Sequence, residues 1–141
     1  MPDIHHIFPV KASPEKIFDA FCSPSGLDNW WRLKSIGEPK LNNIYTLYFG
    51  EAYDWRAEVI QVNKNLSLTW KMTQTMDDWK RTEVGFSLQA KEGQTQVSFF
   101  HKNWREASEH FGITNFCWGQ LLKGLKDYVE KEIVVPYEWR N

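Results

Sequence analysis

Residues 66 to 73 read Leu66-Ser67-Leu68-Thr69-Trp70-Lys71-Met72-Thr73, with a large apolar side chain at every second position. Successive side chains of a strand point to opposite faces, so this spacing predicts a strand with one buried and one wetted face. That pattern is typical of antiparallel sheets, whose outer face meets water. The same period continues on both sides. Upstream, residues 53 to 62 set Tyr53, Trp55, Ala57 and Val59 against Asp54, Arg56 and Glu58, and residues 44 to 49 (Ile44, Tyr45, Thr46, Leu47, Tyr48, Phe49) are rich in strand formers. Downstream, residues 81 to 90 set Thr82, Val84, Phe86 and Leu88 against Arg81, Glu83, Gly85 and Ser87, and residues 95 to 101 place Val97, Phe99 and His101 on one face. Asn63-Lys64-Asn65 and Glu92-Gly93 supply the turns. A meander of about five strands is predicted.

Farther out the period changes. Residues 4 to 10 suit a strand, with Pro9 confining it to a sheet edge or a strand end. Ser13-Pro14 and Ser23-Pro24 are each a capping residue followed by a proline at the first helical position. They predict two short helices, one carrying Ile17, Phe18 and Phe21, the other Leu27, Trp30 and Trp31. At the other end Trp118, Leu121, Leu122, Leu125 and Val129 recur at helical spacing, with Lys123, Lys126, Asp127, Glu130 and Lys131 opposite. A long helix is predicted over about 106 to 132, with Gly112 expected to disturb its first turns. Residues 133 to 141 form a tail that departs at Pro136, expected to pack on the domain's own sheet or to contribute to a dimer contact. Only the long helix can cover the apolar face of the sheet, so residues 1 to 141 read as one α+β domain. Its expected form is a curved antiparallel sheet wrapped around the C-terminal helix, with two short helices after the first strand.

Composition narrows the function. Lys plus Arg number 17 and Asp plus Glu 18, a net charge of −1 that argues against a general nucleic-acid binder. No apolar run approaches the ~20 residues of a membrane helix. The start, Met1-Pro2-Asp3-Ile4-His5-His6, lacks the pattern of a secretory signal, so a cytoplasmic protein is expected. Cys22 and Cys117 are far apart and read as buried free thiols. No Cys/His cluster or HExxH run is present, so neither a metal nor a cofactor is expected.

The order of elements resembles the helix-grip, or START-like, superfamily, which includes the major birch pollen allergen and polyketide cyclases. Local runs resemble, within it, the family of homologues of the activator of heat-shock-protein-90 ATPase. These are Pro14 to Phe21 after the first strand, the pair Trp30-Trp31, Leu68-Thr69-Trp70, Thr95 to Phe99 followed by His101, and Trp118-Gly119 with Leu121, Leu122, Leu125 and Tyr128. Where that family often carries a glycine pair before its second strand, this chain has Asn42-Asn43. The resemblance implies a cavity between sheet and helix for an apolar small molecule, or a chaperone-regulating role in a stress response.

Three functions follow as expectations. The first is a module binding a small apolar or lipid-like ligand, lined by Trp31, Tyr48, Trp55, Trp70, Phe86, Phe99, His101 and Trp118. These rings either line a pocket or fill the core. The second is a protein-interaction module with a filled core and an exposed apolar patch around Trp79 or the tail, acting as a monomer or homodimer. The third is a cyclase-like or hydrolase-like enzyme using His101, whose imidazole would serve as acid or base near neutral pH. Arg32 reads as a surface arginine or an anchor at a pocket mouth, and Trp79 as a lid or a side chain folded onto the sheet edge.

Overall fold

The computed structural model describes residues 1–48, 50 and 54–140. The expectations for Phe49, Tyr53 and Asn141 lie outside the described residues. Among the described residues the chain forms β1 (Ile4–Val10), α1 (Pro14–Cys22), α2 (Pro24–Trp30), β2 (Lys34–Ile36), β3 (Ile44–Tyr48), β4 (Asp54–Asn63), β5 (Ser67–Gln74), β6 (Glu83–Lys91), β7 (Gln94–Lys102) and α3 (Glu109–Lys131). All pairings are antiparallel, in the order β1-β7-β6-β5-β4-β3-β2. Strand β4 slips register against β5 at Arg56/Ala57 and again between Val59 and Gln61. Such irregularities bend a strand and increase its twist, which helps the sheet curve. The fold is the α+β helix grip: the curved sheet holds the long helix α3.

The period-two pattern sorts most of the faces as expected; Leu66, just before β5, is instead 48% exposed, and Thr69 and Gly85, expected on the wet face, are buried. Leu68, Trp70 and Met72 of β5, Val84, Phe86 and Leu88 of β6, and Val97, Phe99 and His101 of β7 are all buried. Strand β2 was absent from the sequence expectation, because three residues are too few to display a period.

Both short helices start as their caps predict. The Ser13 hydroxyl accepts the Lys16 N–H at 3.2 Å, and that of Ser23 accepts the Gly26 N–H at 3.0 Å. Gly26 is required by packing, since a Cβ there would lie 2.7 Å from Ala20 Cα and from its carbonyl oxygen. Helix α3 is capped by Ser108, and Gly112 lies inside its first turns without breaking them. It buries Thr114, Trp118, Leu121, Leu122, Leu125 and Val129. The edge of the sheet at β1 is tied to this helix: Lys126 Nζ donates to the Pro9 carbonyl, and the Lys11 N–H donates to Glu130 at 2.7 Å. The tail is held against α2 rather than against the sheet, because the Arg140 guanidinium donates to the carbonyls of Asp28 (2.9 Å), Arg32 (3.0 Å) and Val135 (2.9 Å).

Candidate functional site

The space between sheet and helices is occupied by rings in one unbroken succession of contacts. Tyr45 meets Trp70 edge-on at 5.4 Å, Trp70 meets Phe86 at 6.4 Å, and Phe86 stacks on Phe21 at 4.0 Å. Phe21 meets Trp30 at 5.4 Å, Trp30 stacks on Trp31 at 5.8 Å, and Trp31 meets Trp118 at 4.9 Å. Trp118 in turn contacts Phe99 at 4.5 Å and Trp79 at 6.0 Å. Apart from the close, nearly parallel Phe21–Phe86 stack, these separations fall within the roughly 4.5–7 Å of favourable aromatic packing, where a pair adds about 0.5–1.5 kcal/mol beyond area burial. Of the residues expected to line a site, Trp31, Trp70, Phe86, Phe99, His101 and Trp118 are brought together, and Trp55 joins them through Trp79 at 4.7 Å. Tyr48 stands apart, in a shallow outer depression with Lys34, Ile36 and Arg56.

Trp79 is no exposed lid: it folds back as the other reading expected, but into the core rather than onto the sheet edge. It ends a 3₁₀ turn, Asp77–Trp79, and its indole inserts among Trp55, Trp104 and Trp118, 7% exposed. Trp104, 1% exposed, was missed by sequence reasoning. It follows β7, where no period operates, and only the general tendency of tryptophan to be buried would have found it.

His101 lies on β7 opposite Val84, fully buried. The Trp118 indole N–H donates to its Nδ1 at 3.1 Å. Its Nε2 lies 2.9 Å from the Thr82 hydroxyl, which donates its own hydrogen to the Trp79 carbonyl at 2.6 Å. One proton arrangement satisfies every group: Nε2 carries the hydrogen and gives it to Thr82, and Nδ1 accepts from Trp118. The relay ties α3, β7 and the Trp79 turn together. Burial, reinforced by the nearby charge of His110, pulls the His101 pKa down to about 3. The ring is therefore neutral across the physiological range. His110 is part of the same region: its Nδ1 lies 2.9 Å from Asp78 and its ring 5.7 Å from Trp104.

Arg32 corrects the expectation of a surface arginine. It is 4% exposed, its guanidinium lying 3.9 Å from the centroid of the Trp31 ring and 4.9 Å from that of Trp55. Burial lowers its pKa to about 9, so the charge persists at neutral pH, and attraction to the two indole faces offsets part of the cost of burying it. Cys22 is buried as expected, whereas Cys117 is partly exposed. Among the described residues, the buried indole N–H groups of Trp70, Trp79 and Trp104 have no acceptor.

Among the described residues no three His, Cys, Asp or Glu side chains converge on a metal position, and no helix is long and apolar enough to cross a membrane. The outer surface carries a polar cleft of about 560 Å³ beside the Trp79 turn, lined by both Lys80 and Arg81 and both Asp77 and Glu106. It also carries exposed apolar side chains on α3 (Ile113, Phe116) and the tail (Ile133, Val134, Trp139).

A seven-stranded antiparallel sheet gripping a long C-terminal helix, with two short helices after the first strand, defines a START-like domain. Residues 11–130 match the family model described as Activator of Hsp90 ATPase homolog 1-like protein, and the chain belongs to that family. Among solved structures it is similar to the Aha1 dimer from Colwellia psychrerythraea, with 32% identity, a TM-score of 0.84, and coverage of 93% of this chain and 98% of that one. Two others share the fold. A protein from Staphylococcus saprophyticus has 19% identity, a TM-score of 0.79 and coverage of 96% of each chain. A protein from Mesorhizobium loti has 18% identity, a TM-score of 0.81 and coverage of 94% of this chain and 100% of that one. Among curated proteins none matches.

Proposed function

We propose that this protein is a non-enzymatic interaction module that works through its surface and has a second copy of itself as one partner. The observation that carries the reading is the unbroken ring packing from Tyr45 to Trp79, which leaves the rings facing one another rather than a ligand. A domain whose interior is taken up by its own side chains acts through what it displays. The similarity to a protein described as a dimer supports self-association. His101 is a positioning residue within the fold: both ring nitrogens are engaged, and its low pKa leaves little capacity for proton transfer near neutral pH. The unpaired cysteines suit a reducing, cytoplasmic setting, and a chaperone ATPase is the heterologous partner to test first.

A second reading rests on a different observation. The unpartnered indole donors of Trp70, Trp79 and Trp104 favour a small amphipathic molecule that brings hydrogen-bond acceptors into the interior. Sedimentation velocity over about a hundredfold range of concentration tests the first reading. A monomer–dimer equilibrium is expected. A monomer throughout that range, with a small molecule co-purifying, would overturn it in favour of the second.

A further inference from the structure

From the outer face of α3 we infer that this face is a self-docking surface on which a second copy packs antiparallel, with the two-fold axis at Phe116. This rests on the self-association proposed above and names its site. The buried side of the helix is spent on the core, while Glu109, Gly112, Ile113, Phe116, Gln120 and Lys123 follow one another along the solvent side. Phe116 is 68% exposed and Ile113 53%, so the middle of this face is apolar. A Cβ at Gly112 would meet nothing within 4 Å, and one at Gly119 only the His6 ring at 3.7 Å. The fold itself therefore does not need glycine at 112, although glycine costs about 1 kcal/mol of helix propensity relative to alanine.

The occupant follows from the order of residues about Phe116. In an antiparallel pair centred there, a residue a given number of positions before Phe116 faces the one the same number after it on the partner. Ile113 then faces Gly119, a large side chain against a small one, and Gly112 faces Gln120. Glu109 and Lys123 stand seven residues to either side, so each carboxylate faces an ammonium, twice over by symmetry. Phe116 enters the hole outlined by Gly112, Asn115, Phe116 and Gly119, the knob-into-hole arrangement of paired helices. Lys123 also bonds the partly buried Asp127 on its own helix at 2.7 Å, while its own side chain, 62% exposed, leaves the ammonium able to reach across. Trp139, 74% exposed, borders the same face beside Gln120 and Gly124.

The face from Glu109 to Lys123 is about 21 Å long at 1.5 Å per residue. A single helix face of this length is a small interface beside the ~800 Å² per partner of a standard one, so the dimer is expected to dissociate on dilution.

The test is sedimentation velocity on the whole chain and four variants, with circular dichroism to verify folding. Phe116→Glu places two carboxylates at the axis and is expected to raise the dimer dissociation constant at least a hundredfold. Glu109→Lys and Lys123→Glu each oppose like charges and are expected to weaken the dimer about fivefold. The double variant restores both pairs and is expected to return within about twofold of the parent. A parent dimer unmoved by Phe116→Glu, or a charge swap without restoration, overturns this interface while self-association stands. A parent that stays monomeric overturns the self-association on which it rests.

Discussion

Lowering the pH should destabilise this fold through His101 before most carboxylates titrate. In the unfolded chain the imidazole has a pKa near 6.5, whereas burial in the fold lowers it to about 3. Between these values the unfolded state holds a proton that the native state does not. Stability is therefore full above about 6.5 and falls as the pH drops toward 3. One proton corresponds to ~1.4 kcal/mol per pH unit, so the step from pH 6.5 to 4.5 should remove roughly 2–3 kcal/mol through this residue. The geometry gives the reason: a proton on Nδ1 would face the indole N–H that Trp118 aims at it from 3.1 Å. Urea unfolding of the parent and of His101→Gln at several pH values isolates the contribution. Glutamine keeps a polar side chain without titrating, so the variant should lose the extra slope while being somewhat less stable at neutral pH. Parallel slopes in the two proteins, or an imidazole that titrates near 6.5 by NMR in the native state, would refute the relay.

Other perturbations reach different parts of the molecule. Gly26→Ala forces a methyl to within 2.7 Å of Ala20 backbone atoms, and thermal unfolding should report a loss of about 1–3 kcal/mol from the α1–α2 contact. Arg140→Ala leaves the carbonyls of Asp28, Arg32 and Val135 without their guanidinium donor. Limited proteolysis should then cut within residues 133 to 139 faster than in the parent, with the rest of the domain unaffected. Thiol labelling of the native protein should modify Cys117 first, because Cys22 is buried and burial raises its thiol pKa far above the usual value. Equal labelling rates would contradict the packing of α1.

The sheet and the long helix were legible because each repeats its signal. Leu68, Trp70 and Met72 show the strand period several times over, and Trp118 through Val129 do the same for the helix. Features that rest on a single residue were not legible. Strand β2 has three residues and no room for a period. Arg32 reads as solvated because arginine usually is, and its burial depends on two tryptophan faces, Trp31 and Trp55, converging from different parts of the chain. Gly112 reads as a helix breaker, yet its cost is small beside the burial of Thr114 and Trp118 in the following turn. The candidate site was legible as a set of rings on inward faces. What distance could not be read from sequence is how far those rings lie from one another, and that decides between a lined pocket and a filled one. Trp79 adds a further ring to that set by entering from a turn between strands, outside any strand period.

Native mass spectrometry of protein purified gently from its own cells, compared with its denatured mass, tests the filled interior most directly. A filled interior gives the bare chain mass in monomer and dimer peaks. A reproducible extra mass of a small molecule, bound to the native monomer and lost on denaturation, would contradict it.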